Sequence, residues 1–259
     1  MTLAPLEDLG RQSVDLISHV GRFGVFAGQT VLSAITPPLR FGRLMTEVFN
    51  VGVLSLVIIC ISGGVVGAVL GLQGYTTLSR FGATGGLGSV VGLVLIRELG
   101  PVMTALLVTG RAGSAVAAEI GTMVATEQLD GLRMMSVPPI DFVIRPKAIA
   151  MIIAMPLLSA LFIVFGVFGG YLVGVGLLSV DGGAYLTGLE NSIDFSNDVL
   201  GSFVKSLVFG TLVGLIATYR GYTADPNAEG VSRATTSTVV IGSVATLIFD
   251  YIITALWGV

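Results

Sequence analysis

Five long runs of apolar residues, at about 51–74, 87–108, 148–178, 199–218 and 236–257, constrain this chain more than any other feature. Each approaches or exceeds the roughly 20 residues that an α-helix needs to cross the hydrocarbon core of a bilayer. A spanning helix bonds every backbone group within its own segment, which lipid demands. The balance of residues agrees: 53% are hydrophobic and 11% charged, where a soluble domain has about a quarter charged. The reading is an all-α integral membrane protein with one domain over residues 1–259. The third run is long enough to tilt or to contain a break near Pro156.

The first part reads differently. Leu6, Leu9, Val14, Ile17 and Val20 recur at roughly helical spacing, with Arg11, Gln12, Asp15 and His19 between them. That pattern predicts an amphipathic helix lying in the interface. Residues 25–35 are apolar but too short to span, and Pro37-Pro38 stops them. Residues 1–45 are therefore read as interfacial helices. The opening MTLAPLEDLG lacks a basic segment followed by an apolar core, so no cleavable leader is expected.

Basic residues predict the orientation. With the amino terminus in the cytoplasm, residues 1–50, 109–147 and 219–235 share that side and hold ten of the 13 Lys and Arg. The opposite-side segment 179–198 carries Asp181, Glu190, Asp194 and Asp198 and no basic residue. The carboxyl terminus then lies outside. The small net charge of −3 gives no reason to expect a nucleic-acid partner. Cys60, the single cysteine, excludes a disulfide framework within the chain and reads as a small core hydrophobe.

Between the second and third spans lies Ala117–Pro139, AAEIGTMVATEQLDGLRMMSVPP. Ile120, Met123 and Val124 form one apolar stripe and Leu129, Leu132 and Met135 another, which predicts two short helices. Thr126 is placed to cap the second, with Glu127 in its first turn. Glu119, Glu127, Asp130 and Arg133 give the stretch a polar face on the cytoplasmic side. Two readings stand: a grip for a motor on the membrane surface, or an ordinary interfacial loop.

Four charges fall inside spans: Arg97, Glu98, Lys205 and Asp250. An ionised group at mid-bilayer costs a few kcal/mol, so such groups persist when paired or facing a wet cavity. They read as a substrate pathway or as a structural ion pair. Counted from the expected span ends at about 1.5 Å per residue, Lys205 and Asp250 lie roughly 9 and 10 Å deep and Glu98 roughly 16 Å. A Lys205–Asp250 pair is therefore expected, with Glu98 less well placed and Arg97 and Glu98 nearer a headgroup. Gly63, Gly67 and Gly71 form a ladder in the first span, and Gly166, Gly170 and Gly174 form another in the third. Such faces let helices approach closely, within one chain or between two.

No GxxxxGK[ST], HExxH, CxxC or GxSxG occurs, so the chain shows no catalytic set of its own and no P-loop for ATP.

Several runs together resemble the MlaE family of ABC-transporter permeases. They are Asn50–Tyr75, RELGPV at Arg97–Val102, GRAGSAVAAEIGTM at Gly110–Met123, ATEQLDGLRMM at Ala125–Met135 and GVSRATT at Gly230–Thr236. The resemblance covers nearly the whole chain. It implies the inner-membrane permease of a system that maintains lipid asymmetry of the Gram-negative outer membrane, with a periplasmic carboxyl terminus. The implied partners are a second copy of the chain and two cytoplasmic ATPase subunits, which would bind the ATP and Mg. A periplasmic hexamer of lipid-binding MCE-type subunits and, in many bacteria, a small cytoplasmic accessory protein would complete it. The implied substrate is glycerophospholipid. Glu119–Met135 becomes the coupling region. The first and fifth spans of two copies would enclose an apolar cavity, with acyl tails against Leu70 and Leu99 and the headgroup near Arg97 and Glu98. A stand-alone lipid transporter driven by protons through Glu98 or Asp250 is the alternative, and an intramembrane scaffold is a third.

Overall fold

The computed structural model describes residue 18 and residues 21–33 and 41–257, and every element in them is helical. Apart from residue 18, the amphipathic helix expected at residues 6–20 falls outside the described residues, as does the stop at Pro37-Pro38. The first described helical stretch, α1 (21–33), covers about 20 Å at 1.5 Å per residue.

Five helical runs are long and apolar enough to cross a membrane: Phe41–Ser79, Thr84–Ala125, Ile140–Leu177, Phe195–Tyr222 and Ala228–Trp257. Within them lie α2 (Phe41–Val51), α3 (Leu56–Ser79), α4 (Leu87–Val94), α5 (Gly100–Val108) and α6 (Ser114–Ala125). A short helix α7 (Gln128–Met134) joins the second and third spans. Next come α8 (Arg145–Tyr171), a short α9 (Gly182–Ser192), α10 (Leu200–Tyr222) and α11 (Ala228–Trp257). Most runs extend past the apolar stretches read from sequence. A helix keeps its internal hydrogen bonds after it leaves the hydrocarbon, so hydropathy marks the membrane and not the helix end. The spans alternate in direction, which puts α7 and α9 at opposite ends of the bundle.

Spans one and three run side by side in the same direction. Phe162, Gly166 and Gly170 stand against Gly63, Gly67 and Gly71. A Cβ on Gly67 would lie 1.8 Å from the Gly166 carbonyl oxygen, and one on Gly63 would lie 2.7 Å from that of Phe162. The first ladder thus mates with Gly166 and Gly170 of the second inside one chain, an approach that only glycine permits, while Gly174 faces Leu87 and Tyr185. Of the two readings of the third run, tilt or break, no break occurs at Pro156: α8 continues through it to Tyr171, and the departures from α geometry are π-helical segments at Ile140–Ile144 and Leu172–Leu177.

Two more π turns interrupt span two, at Leu95–Leu99 and Thr109–Gly113. Such turns redirect side chains and are frequent at functional sites. Helix α9 is capped by Asp181, whose carboxylate accepts from the Ala184 N–H at 2.7 Å. It lies along α4, where Ser89 donates to the Gly188 carbonyl and Gly88 abuts the Tyr185 backbone. Tyr185 is fully buried and stands edge-on to Tyr171. Burial pushes its phenol up to about 12.

Candidate functional site

Span two carries the sequence Arg97-Glu98-Leu99-Gly100-Pro101. Pro101 has no N–H, so the carbonyl four residues back, that of Arg97, loses its α-helical donor. Lys205 on α10 takes that carbonyl at 2.9 Å. The ammonium of Lys205 also donates to Glu98 Oε2 at 2.9 Å and to Thr254 Oγ1 at 2.7 Å. These partners use all three of its protons. Asp250 Oδ1 lies 3.3 Å from the same nitrogen as a charge contact without a hydrogen bond. Thr254 is four residues beyond Asp250 on α11, so both reach the same side of that helix.

The expected Lys205–Asp250 ion pair forms, and what is corrected is the ranking of Glu98. Lys205 does meet Asp250, but Glu98 is its nearer carboxylate, and Arg97 and Glu98 are not set apart from it. The depth count failed because it started span two at the membrane surface. Helix α4 instead projects alongside α9, so its first turns add length without adding depth. That places Arg97 level with the start of span four. There Arg97 Nε donates to Asp198 Oδ1 at 2.7 Å, and Asp198, 2% exposed, also accepts from the Asp194 N–H through Oδ2. Asp198 and Thr254 escaped the sequence reading. Asp198 reads as one more acid of an outer segment, and Thr254 is an ordinary residue of an apolar helix.

Around this cluster lies a cavity of about 310 Å³. Its walls are Arg97, Glu98, Asp198 and Lys205, with Ser202, Ile253 and Trp257 among the other lining residues. Three carboxylates (Glu98, Asp198 and Asp250) and two cations therefore meet where spans two, four and five converge. Leu70 and Leu99 are partly buried and pack against the hydrophobic core.

At the other end the coupling stretch divides in two. Glu119 does not project from a short helix of its own; it lies on α6, the last part of span two. Its carboxylate accepts from Lys147 Nζ at 2.7 Å, and Glu47 on α2 accepts from the same nitrogen at 2.8 Å. Glu127, Asp130 and Arg133 belong to α7 or its start and are exposed. Thr126 does not cap α7. Its hydroxyl donates back to the Thr122 carbonyl, and Glu127 makes the turn in the left-handed region at φ 58°. Asp130 and Arg133 pair at 2.6 Å, and Arg133 donates to the Tyr222 hydroxyl at 2.6 Å. That hydroxyl, more than Asp130, holds the Arg133 guanidinium above its ordinary value. Leu129 anchors α7 inward while Met134, 90% exposed, and Met135 face outward. Phe26 of α1 packs edge-on against Tyr219 and also meets Tyr222, so α1 and α7 share the end of α10.

Residues 44–256 match the family model described as Permease MlaE. The chain is 46% identical over 248 residues to the intermembrane phospholipid transport system permease protein MlaE of Haemophilus influenzae, covering 96% of this chain and 95% of that one. It is 42% identical over 257 residues to a probable ABC transporter permease protein of Rickettsia bellii, covering 99% of both. A chloroplast protein of Arabidopsis thaliana, TRIGALACTOSYLDIACYLGLYCEROL 1, is 31% identical over 231 residues, which cover 89% of this chain and 66% of that one. With a family model covering most of its length and relatives aligned nearly end to end, the chain belongs to the MlaE permease family.

Proposed function

We propose that this chain is the membrane-spanning, non-catalytic subunit of an ABC transporter that moves glycerophospholipid between the inner membrane and a periplasmic lipid-binding protein, and so maintains outer-membrane lipid asymmetry. The observation that carries the reading is the charged cavity where spans two, four and five converge, in a family whose Haemophilus member is named for phospholipid transport. Arg97 and Lys205 supply positive charge for a phosphate, and Trp257 and Ile253 supply apolar wall. Spans one and five expose long apolar faces, from Val57 to Leu72 on α3 and from Val240 to Leu256 on α11. Two copies facing each other through these helices would enclose room for acyl chains.

The α7 end would face the cytoplasm and the α9 end the periplasm, as the distribution of basic residues favours. Exposed Glu127, Asp130 and Arg133, with Met134 and Met135, would then dock into a cleft on each of two ATPase subunits, which bind the ATP and Mg. A periplasmic hexamer of MCE-type subunits would receive or deliver lipid at the α9 end. A small cytoplasmic accessory protein would complete the assembly.

The test is purification from native membranes followed by reconstitution. An ATPase and a periplasmic lipid-binding protein are expected to accompany the chain, and lipid transfer is expected to require ATP. Transfer of lipid by the purified chain alone under a pH gradient would overturn the reading in favour of an ion-coupled carrier.

A further inference from the structure

A hydroxyl inside a membrane-spanning helix has a ready acceptor in the carbonyl four residues back. Thr109, Ser206, Thr218, Thr238 and Thr246 are all buried and all donate there, at 2.6 to 2.8 Å. Two buried hydroxyls depart from this pattern. Thr104 on α5 is 0% exposed and Ser159 on α8 is 2% exposed, and among the described residues neither hydroxyl oxygen has a hydrogen-bond partner.

The two belong to one neighbourhood. Spans two and three run in opposite directions, and Gly100 of α5 sits against Ile163 of α8, where an added Cβ would lie 2.5 Å from Cγ1. Thr104 is four residues on from Gly100 and Ser159 four residues back from Ile163, so one helical turn brings both to the same level. Burying such a group unpaired is unfavourable, and two at one level mark a place where a polar atom is wanted.

Ser159 also lines a cleft of about 230 Å³ between α8 and α10. Ile163 and Val164 of α8 and Val199 and Phe203 of α10 give it apolar walls. Ser206, which lines it too, spends its proton on the Ser202 carbonyl. Among the described residues no charged side chain lines the cleft, so an ionised head would be unpaired there. A dry cavity of about 150 Å³ lined by aliphatic side chains takes up benzene, so this one has room for a somewhat larger molecule. An acyl chain could fill the volume but brings no hydrogen-bonding atom to Ser159. A neutral molecule with one oxygen at the end of an apolar body meets both demands.

We propose that the α8–α10 cleft binds a small neutral amphiphile of the medium-chain alcohol class, whose hydroxyl bonds Ser159 and whose chain lies along Ile163, Val164 and Phe203. Ser202 lines this cleft and the charged cavity alike, so an occupant rests on the helix that carries Lys205. The site uses none of the charges of that cavity and stands or falls apart from the transport reading.

The experiment uses 1-octanol carrying a diazirine on its chain, photolysed with the full chain in native membranes, and maps the adducts by mass spectrometry. Adducts are expected on Ile163, Val164 or Phe203, and an excess of plain 1-octanol should suppress them. Ser159→Ala keeps the cleft and removes the hydroxyl, so labelling there should fall about two- to tenfold, the worth of one neutral hydrogen bond. A diazirine probe of the same length without the hydroxyl should label the parent and Ser159→Ala alike. Ala160→Phe, at an exposed position of α8 bordering the cleft, leaves Ser159 in place and should abolish the alcohol adduct. Labelling that excess octanol does not suppress would be simple partition into lipid and would overturn the proposal. So would an absence of adducts at those residues, or alcohol labelling unchanged in Ser159→Ala, whether or not Ala160→Phe folds.

Discussion

Lys205 and Lys147 are 5% and 2% exposed, and each faces two carboxylates, yet they sit at opposite ends of the bundle and in different surroundings. Around Lys205 every ammonium proton has a partner and the wall belongs to a cavity among apolar helices. Around Lys147 the partners are Glu47 and Glu119, 17% and 56% exposed, against 38% and 19% for Glu98 and Asp250. Each cluster therefore holds one more buried and one more exposed carboxylate, and losing the lysine costs most at the buried one. The same residue types thus make a high-cost cluster in one place and an ordinary tie between three spans in the other. What separates them is the further bonding of Lys205, to the Arg97 carbonyl and to Thr254, not the number of charges.

The largest effect is expected at the cavity end. Lys205→Met would strand Glu98 and Asp250 together and should cost about 2–4 kcal/mol of stability, less than for a fully buried pair because Glu98 is 38% exposed, read as a drop in melting temperature in detergent. A loss no larger than that of Lys147→Met would break the comparison. Lys147→Met should cost about 1–3 kcal/mol, the range for a lost partner in partly hydrated surroundings.

Within the Lys205 cluster the two carboxylates should rank. Glu98 shares a hydrogen bond with the ammonium and Asp250 does not. Glu98→Gln is therefore expected to cost about 1.5–3 kcal/mol. Asp250→Asn should cost less than about 1 kcal/mol, because it removes one of three carboxylates facing two cations. A double-mutant cycle of Lys205→Met with Asp250→Leu sharpens this. Non-additive losses are expected, and strictly additive ones would mean that the 3.3 Å contact carries no coupling.

The smallest effect belongs to a third pair, outside both clusters. Asp130 and Arg133 are more than half exposed, and Asp130→Ala should change stability by less than about 0.5 kcal/mol. If α7 grips an ATPase as proposed, the same variant should still weaken co-purification of that subunit. A stability loss matching that of Lys147→Met would show that α7 is part of the framework and not a docking element.

The five spans were legible in the sequence because lipid leaves few options: apolar length fixes where a helix crosses. Charges within those spans were legible for the same reason, since Arg97, Glu98, Lys205 and Asp250 stand out against apolar neighbours. Of their partners, only the Lys205–Asp250 contact was. Span ends read from hydropathy set all helices to a common plane, whereas α4 overshoots it to meet α9, and the error passed directly into the ranking of Glu98. The RELGP run did hold a usable signal, because a proline always frees the carbonyl four residues before it and invites a donor there. Neither the π turns nor the partnership of Glu119 with Lys147 follows from residue spacing, since both depend on which helices end up adjacent. The glycine ladders were visible, but whether they mate within a chain or between chains is a matter of tertiary packing.

That mating has a consequence for how the protein is made. The glycine face of α3 and its counterpart on α8 are 99 residues apart in the chain, from Gly63 with Phe162 to Gly71 with Gly170. At about 5–20 residues per second of synthesis, α3 emerges roughly 5 to 20 s before the helix that fits it. During that interval its notched surface has no native occupant and must rest against lipid, the insertion machinery or span two. Assembly of this half of the bundle therefore waits on the third span, and a pause in translation between residues 79 and 140 would prolong the vulnerable state without altering the finished fold.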